Sequence, residues 1–224
     1  MNILKPTYEI LTPISENGIK ELQFIEMVGR KCYKSEDRIT EDGESAKKFV
    51  KMLLDKHHGA MLEHGTLSVL FTVDRGVSHE LVRHRLASFA QESTRYCNYS
   101  KDKFGSEINV IGIEDGIVLD TKMKNMDTNI VLDIISEWYQ AMQDSERHYL
   151  RMIELGATPQ IARSVLTNST KTEIVVTTDY REWRHILSLR TPISAHPQMR
   201  EVMIPLLKDI QTKLPILFDD IEVE

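Results

Sequence analysis

Leu70–Arg85 reads LFTVDRGVSHELVRHR, and Val175–Arg190 reads VVTTDYREWRHILSLR. Each stretch opens on β-forming residues, reaches an aspartate, and continues with apolar residues at helical spacing. At an offset of 105 positions Asp74 meets Asp179, Leu81 meets Ile186, Val82 meets Leu187 and Arg85 meets Arg190. An aspartate between strand and helix is a cap, because its carboxylate accepts N–H groups that the first helical turn leaves unbonded. Glu182, three residues after Asp179, makes a capping-box pattern. Two strand–cap–helix passages in one chain predict an α+β fold, a mostly antiparallel sheet flanked by helices. The echo also predicts two arginine-bearing helix ends in similar local settings.

Outward from these stretches, strands are expected at Thr66–Val73 and Thr172–Thr178, with shorter ones at Tyr8–Leu11 and Ile108–Ile113. Helices are expected over about Asn17–Arg30, around Phe49, Val50, Leu53 and Leu54, and from about Val77. Residues 97–126 otherwise read as irregular. The clearest element is a long central helix over Asp127–Leu155, where Val131, Ile135, Trp138, Met142, Tyr149 and Met152 recur at near-heptad spacing and Gly156 supplies a stop. That stripe is long enough for a subunit contact as well as a core. Thr158-Pro159 opens a short helix carrying Arg163. A last helix begins near Pro197, with Pro205 expected to kink or split it. With no Pro/Gly-rich linker, residues 1–224 are read as one domain.

Composition sets the outer bounds. The chain is 41% apolar and 28% charged, as an ordinary globular protein is. No apolar run approaches the roughly 18 residues of a membrane span. MNILKPTYEI lacks the layout of a secretion signal, and two cysteines make no disulfide framework, so a cytoplasmic location is expected. A net charge of −6 argues against a nucleic-acid partner. The charge is unevenly spread, however: residues 107–146 hold nine acids against Lys122 and Lys124, while residues 163–200 hold six basic residues against three acids. Local positive excess on an acidic protein suits small anionic ligands.

The unusual segment is RHRLASFAQESTRY, Arg83 to Tyr96. Arg83 and Arg85 flank His84, and Ser88, Gln91, Ser93 and Arg95 follow. Such residues offer guanidinium forks for phosphate, and hydroxyls or an amide for sugar and base edges. The chemistry points to a nucleotide or dinucleotide pocket. No GxGxxG or P-loop is present, so a dinucleotide would bind outside a Rossmann frame.

Arg-His-Arg, seven residues, Ser, one residue, Arg is the signature of the flavin-dependent thymidylate synthases, and residues 83–95 fit it without a gap. HHGAMLEH, ARSVL, KTEIVVTTDYREWRHILSLR and AHPQMRE extend the resemblance over roughly residues 25–210. It implies methylation of dUMP to dTMP, with 5,10-methylenetetrahydrofolate as carbon donor and FAD, reduced by NADPH, as hydride source. Arg83, His84, Arg85, Leu86 through its backbone, and Gln91 would contact FAD, with Asp179, Tyr180, Arg181 and His185 as a second flavin group and Ala60 nearby. Glu80, Leu81, Val82, Arg83, Gln91, Glu92, Ser93, Thr94, Arg95 and Arg163 would hold dUMP. Arg190 would polarise the uracil ring as the catalytic residue. The resemblance further implies a homotetramer with sites at subunit interfaces.

Four positions depart from the family's commoner pattern. Glu80 stands for Gln, Ala60 for a hydroxyl residue, Ala90-Gln91 for Asn-Glu, and Thr167 for Pro. His57, His58 and His64 near Glu63 match neither HExxH nor a thiolate site, so no metal is expected. Neither Cys32 nor Cys97 has the context of a nucleophile. A nucleic-acid module and a structural oligomer built on the long helix are the rival readings; the second leaves the Arg-His-Arg segment unexplained.

Overall fold

The computed structural model describes residues 1–101 and 105–223. Along the chain run β1 (Asn2–Leu4), β2 (Thr7–Ile10), α1 (Ile19–Tyr33), α2 (Glu44–Asp55), β3 (Thr66–Asp74), α3 (Arg75–Leu81), β4 (Ser88–Gln91) and β5 (Asn109–Ile111). Then come α4 (Glu114–Leu119), α5 (Thr128–Glu154), α6 (Pro159–Ala162), β6 (Lys171–Asp179), α7 (Tyr180–Arg190), α8 (Pro197–Lys213) and α9 (Pro215–Phe218). The main sheet has the order β2-β3-β6-β4. β3 and β6 run antiparallel: the Ser68 and Thr177 hydroxyls meet at 2.8 Å, and the Tyr180 N–H returns to the Gly65 carbonyl at 3.0 Å. β1 and β5 form a separate parallel pair, Asn2 opposite Asn109. The α+β architecture, an antiparallel sheet with flanking helices and one long helix, is as expected.

Two compact units make up the chain. One comprises Met1–Tyr8, Leu70–His84 and Phe89–Val175; the other comprises Glu9–Val69, Arg85–Ser88 and Val176–Glu224. The divisions fall inside β3 and β6. In the first unit, α5 packs on α6, and Tyr99, Ile108, Val110, Met142, Tyr149 and Ala162 form the core. In the second, α1 lies on α2 and α7 on α8, around Ile25, Leu53, Trp183, Ile186 and Leu206. The indole of Trp183 donates to the Leu67 carbonyl at 2.9 Å, fastening α7 to the start of β3.

Both aspartate caps form. Asp74 Oδ1 accepts the Val77 N–H at 2.8 Å, and Asp179 Oδ1 accepts the Glu182 N–H at 2.8 Å. The echo then breaks. α7 runs to Arg190, but α3 ends at Leu81, four residues short of Arg85. The expectation of two matched arginine-bearing helix ends is therefore corrected: Arg190 closes a helix, while Arg85 lies in the turn beyond one. Leu81 and Ile186 are both buried, but Val82 is exposed where Leu187 is buried. The apolar face that would have continued α3 is missing.

Other differences are local. α5 ends as Gly156 predicts: its φ is +95°, with Gly156 N–H bonded to the Ile153 carbonyl and Ala157 N–H to the Met152 carbonyl, a Schellman closure. α8 passes through Pro205 without splitting, because Val202, Met203, Leu206 and Leu207 bury around it and offset one missing N–H. Arg163 sits at the end of the four-residue α6 and begins a 3-10 turn. Residues 97–126 contain a helix, α4, that was not expected; β1 and β4 were not expected either. Residues 102–104 of that stretch lie outside the described residues.

Asp179→Ala is expected to cost about 1 kcal/mol of stability and Asp179→Asn much less, since an amide oxygen still caps. Urea denaturation of both variants checks this; equal losses would assign the effect to something other than the cap.

Candidate functional site

The Arg-His-Arg segment takes its form from the way α3 ends. Val82 N–H still bonds to the Ser78 carbonyl, but Arg83 bonds to Glu80 and His84 to Leu81, three residues back instead of four. This tightening rotates the segment out of helical register. Arg83 and Arg85 emerge exposed, while His84 is buried. Leu86 is exposed as a side chain, and its carbonyl accepts the Thr178 hydroxyl. Of the three residues before the segment, Leu81 is buried, Glu80 half-buried and Val82 exposed.

Within the first unit, residues 91–95 are held from several directions. Gln91 ends β4, and its amide nitrogen donates to Ser78 Oγ at 2.9 Å and Thr172 Oγ1 at 3.2 Å. Glu92 N–H bonds to the Glu173 carbonyl, and the Glu92 carbonyl accepts Arg75 Nη2 at 3.2 Å. The Glu92 carboxylate takes Lys171 Nζ at 3.1 Å and the Tyr99 hydroxyl at 3.0 Å. Its side chain is thus committed internally. Ser93 Oγ accepts the Arg95 N–H at 3.3 Å. Thr94 is buried, and its Oγ1 accepts Arg163 Nη1 at 3.2 Å. That bond brings together two sequence-predicted residues 69 positions apart. Arg95 and Arg163 are exposed, Arg95 lying 5.6 Å over the Tyr96 ring.

Within the second unit, Cys32, Tyr33, Leu53, His57, His58, Gly59, Ala60, Met61 and Arg181 line a cavity of about 370 Å³. Tyr33 Oη lies 3.4 Å from His58 Nδ1. Arg181 donates through Nη1 to Glu63 Oε1 at 2.5 Å. It passes so close to Gly59 that a Cβ there would meet Arg181 Nε at 3.0 Å. The remaining members of the second predicted group divide by role. Asp179 caps α7. Tyr180 is buried, edge-on to Phe218, and burial, aided by Glu21, pushes its hydroxyl up to about 12. Arg181 and His185 are exposed, and Arg190 is half-buried.

The reading of the sequence did not single out Ser78, Thr172, Lys171 or Arg75. Thr172 carried a signal: it alternates with Ile174 and Val176 on the buried face of β6, where a polar residue needs a partner. Lys171 and Arg75 carried none, since their partners lie on a distant segment.

A family model described as thymidylate synthase complementing protein matches residues 18–216. The chain is 30% identical over 211 residues to the flavin-dependent thymidylate synthase of Corynebacterium aurimucosum, spanning 94% of this chain and 84% of that one. It is 30% identical over 205 residues to the enzyme of the same name from Corynebacterium glutamicum, spanning 89% and 79%. Among solved structures, the UMP/dUMP methylase PolB from Streptomyces cacaoi, bound with 5-Br dUMP, superposes with a TM-score of 0.78 over 98% of this chain and 96% of that one. At 22% identity that likeness is one of fold.

Lys171 yields a test of the loop's support. Burial opposes its charge, but hydrogen bonds and attraction from Glu173 and Glu92 outweigh burial and raise its pKa above 10.5. Because folding raises this pKa, the stabilisation is whole below pH 10.5 and is lost as pH climbs through the raised value. Lys171→Met should cost about 1.5 kcal/mol at neutral pH. The gap from wild type should close in strong alkali; a gap independent of pH would mean that the lysine acts through packing alone.

Proposed function

The chain belongs to the family of thymidylate synthase complementing proteins, and on that premise we propose that it methylates dUMP to dTMP as a flavin-dependent thymidylate synthase. The carbon donor is 5,10-methylenetetrahydrofolate, and the cofactor is FAD reduced by NADPH. The observation that carries the nucleotide half of this reading is the braced segment 91–95 with Arg163 bonded onto it. A phosphate needs several donors held at fixed positions. Ser93 and Arg95 supply them from a loop whose backbone and Glu92 side chain are already bonded within the chain, and Arg163 joins them from the end of α6.

Residues present also fit the flavin. The Cys32–Arg181 cavity pairs apolar and aromatic walls with a guanidinium close against Gly59, which suits an apolar ring system with an anionic chain. In this reading Arg181, His185 and the backbone of Ala60 hold FAD, together with Arg83, His84, Arg85, Leu86 and Gln91. Asp179 and Tyr180 support Arg181 through the cap and the packing of α7. Bound and reduced, the flavin supplies the hydride that completes the methyl group. Arg190 holds positive charge at the pyrimidine carbonyls and favours the ring anion. Glu80, Leu81 and Val82 border the nucleotide, Glu80 in place of the commoner Gln. No nucleophile is assigned to Cys32 or Cys97.

The family match, running from residue 18 to 216, supports one functional domain. Exposed Ile130, Leu132 and Tyr139 on α5 support the homotetramer that the reading includes. No helix among the described residues is long and apolar enough to cross a membrane.

The purified protein should be yellow or become so on adding FAD. Arg85→Ala should weaken FAD binding about ten- to a hundredfold, read by flavin fluorescence, through loss of one charge-assisted contact. A protein that takes up no flavin sinks the assignment.

Arg190→Lys keeps the charge but loses the planar fork. Turnover of dUMP should fall by roughly a hundredfold while thermal stability changes little. Near-normal turnover in Arg190→Ala would remove its catalytic role.

A further inference from the structure

Gln91 is the last residue of β4, and its side chain lies on the half-buried side of that strand with Phe89. Its amide has two N–H groups, and both are spent: Nε2 reaches Ser78 Oγ at 2.9 Å and Thr172 Oγ1 at 3.2 Å. Both hydroxyl residues are fully buried. The direction of the first bond follows from proton bookkeeping. Ser78 has one hydroxyl proton, and it goes to the Arg75 carbonyl at 3.0 Å. Toward Gln91, Ser78 Oγ can therefore only accept. Were the amide turned over, its oxygen would face another lone pair with no proton between them. The network selects one of the two amide orientations, the one with Oε1 pointing away from both hydroxyls. Among the described residues, no group of the chain donates to Oε1.

We infer that Ser78 and Thr172 act as positioning residues that make Gln91 present one uncharged acceptor, Oε1, to the nucleotide, which is selected by a hydrogen-bond donor of its own. The inference rests on the proposed reading of segment 91–95 as the dUMP site. A carboxylate at the same position would need both buried hydroxyls to donate to it, and Ser78 could do so only by giving up the Arg75 carbonyl. It would also set a negative charge near a ligand that carries a phosphate, a repulsion that a neutral amide oxygen avoids. An acceptor in this position discriminates strongly, because a ligand lacking the donor leaves a partly desolvated oxygen unpaired. In a deoxyuridine nucleotide the matching donors are the sugar hydroxyl and the uracil N3–H.

Titration calorimetry on the full chain separates these. The ligands are dUMP, 2′,3′-dideoxy-UMP and N3-methyl-dUMP; the proteins are wild type, Gln91→Leu, Thr172→Val and the double variant. In Gln91→Leu the dUMP Kd should rise about tenfold. The analogue that lacks the recognised donor should bind Gln91→Leu at least as tightly as wild type, because the variant has no acceptor to leave unpaired, while the other analogue follows dUMP. The dideoxy ligand behaving this way assigns the sugar hydroxyl; the N3-methyl ligand assigns the base. Thr172→Val should raise the dUMP Kd about threefold in the wild-type background and not at all on top of Gln91→Leu, a coupling that a merely structural threonine would not show. Equal weakening of all three ligands by Gln91→Leu, or none, overturns the inference. Should Gln91→Leu fail to fold, wild type against Thr172→Val with the same ligands decides it, since loss of positioning must shrink the discrimination between dUMP and one analogue. A folded wild type that binds none of the three overturns the nucleotide reading itself, an outcome distinct from binding without discrimination.

Discussion

β3 and β6 lie side by side and antiparallel, and each ends in an aspartate whose carboxylate starts a helix. Much else depends on this pairing. The ladder carries β6 to its very end, because Tyr180 N–H is still bonded to Gly65 when Asp179 begins to cap α7. A cap is worth only about 1 kcal/mol. Its structural effect is larger, since it determines the residue at which backbone hydrogen bonding passes from sheet to helix. Trp183 then returns its indole N–H to β3, so that α7 is held at its first turn and again one turn later.

From equivalent starts, the two helices end differently. α7 has Ile186 and Leu187 to bury and keeps helical geometry to Arg190. α3 has Leu81 but then Val82, which faces outward, and beyond it come charged and polar residues. Without apolar area to gain, the chain tightens into three-residue turns and leaves the helix. Alternating exposure follows: Arg83 and Arg85 are presented outward with His84 between them turned in. The turn that ends the helix is thus the device that displays the arginines.

The proposed nucleotide segment shows how a partly buried loop is braced from several directions. Glu92 is the centre of it, its carboxylate holding Lys171 and Tyr99, its carbonyl held by Arg75, its N–H on β6. Charges this close, with little water between them, are strongly coupled, and the surrounding hydrogen bonds satisfy what the ion pair leaves over. Neighbouring Gln91 is tied by neutral bonds to Ser78 and Thr172, and Thr94 by a charge-assisted bond from the Arg163 guanidinium. A segment ordered beforehand does not charge its conformational entropy to ligand binding, which favours affinity for a small anion.

What the sequence by itself determined were the features carried by near neighbours along the chain. The aspartate caps, the long stripe of α5, its Gly156 stop and the arginine-rich signature each depend on residues a few positions apart, so they were legible before any fold was known. The family resemblance rests on such short patterns too. The tertiary structure alone decided the rest. β4 is SFAQ, with no strong alternation, and becomes a strand because β6 offers it an edge. β1 is defined by its parallel pairing with β5, 107 residues away by the Asn2–Asn109 bond. Pro205 predicts a kink or a split in α8; the helix does not split, because burial on both sides of the proline outweighs one lost hydrogen bond. Ser78, Thr172 and Lys171 acquired their roles only when folding closed loops of 13, 81 and 79 residues onto Gln91 and Glu92. Local propensity acts through the chain, whereas a hydrogen bond across such a loop exists only after the whole sheet has paid its closure entropy.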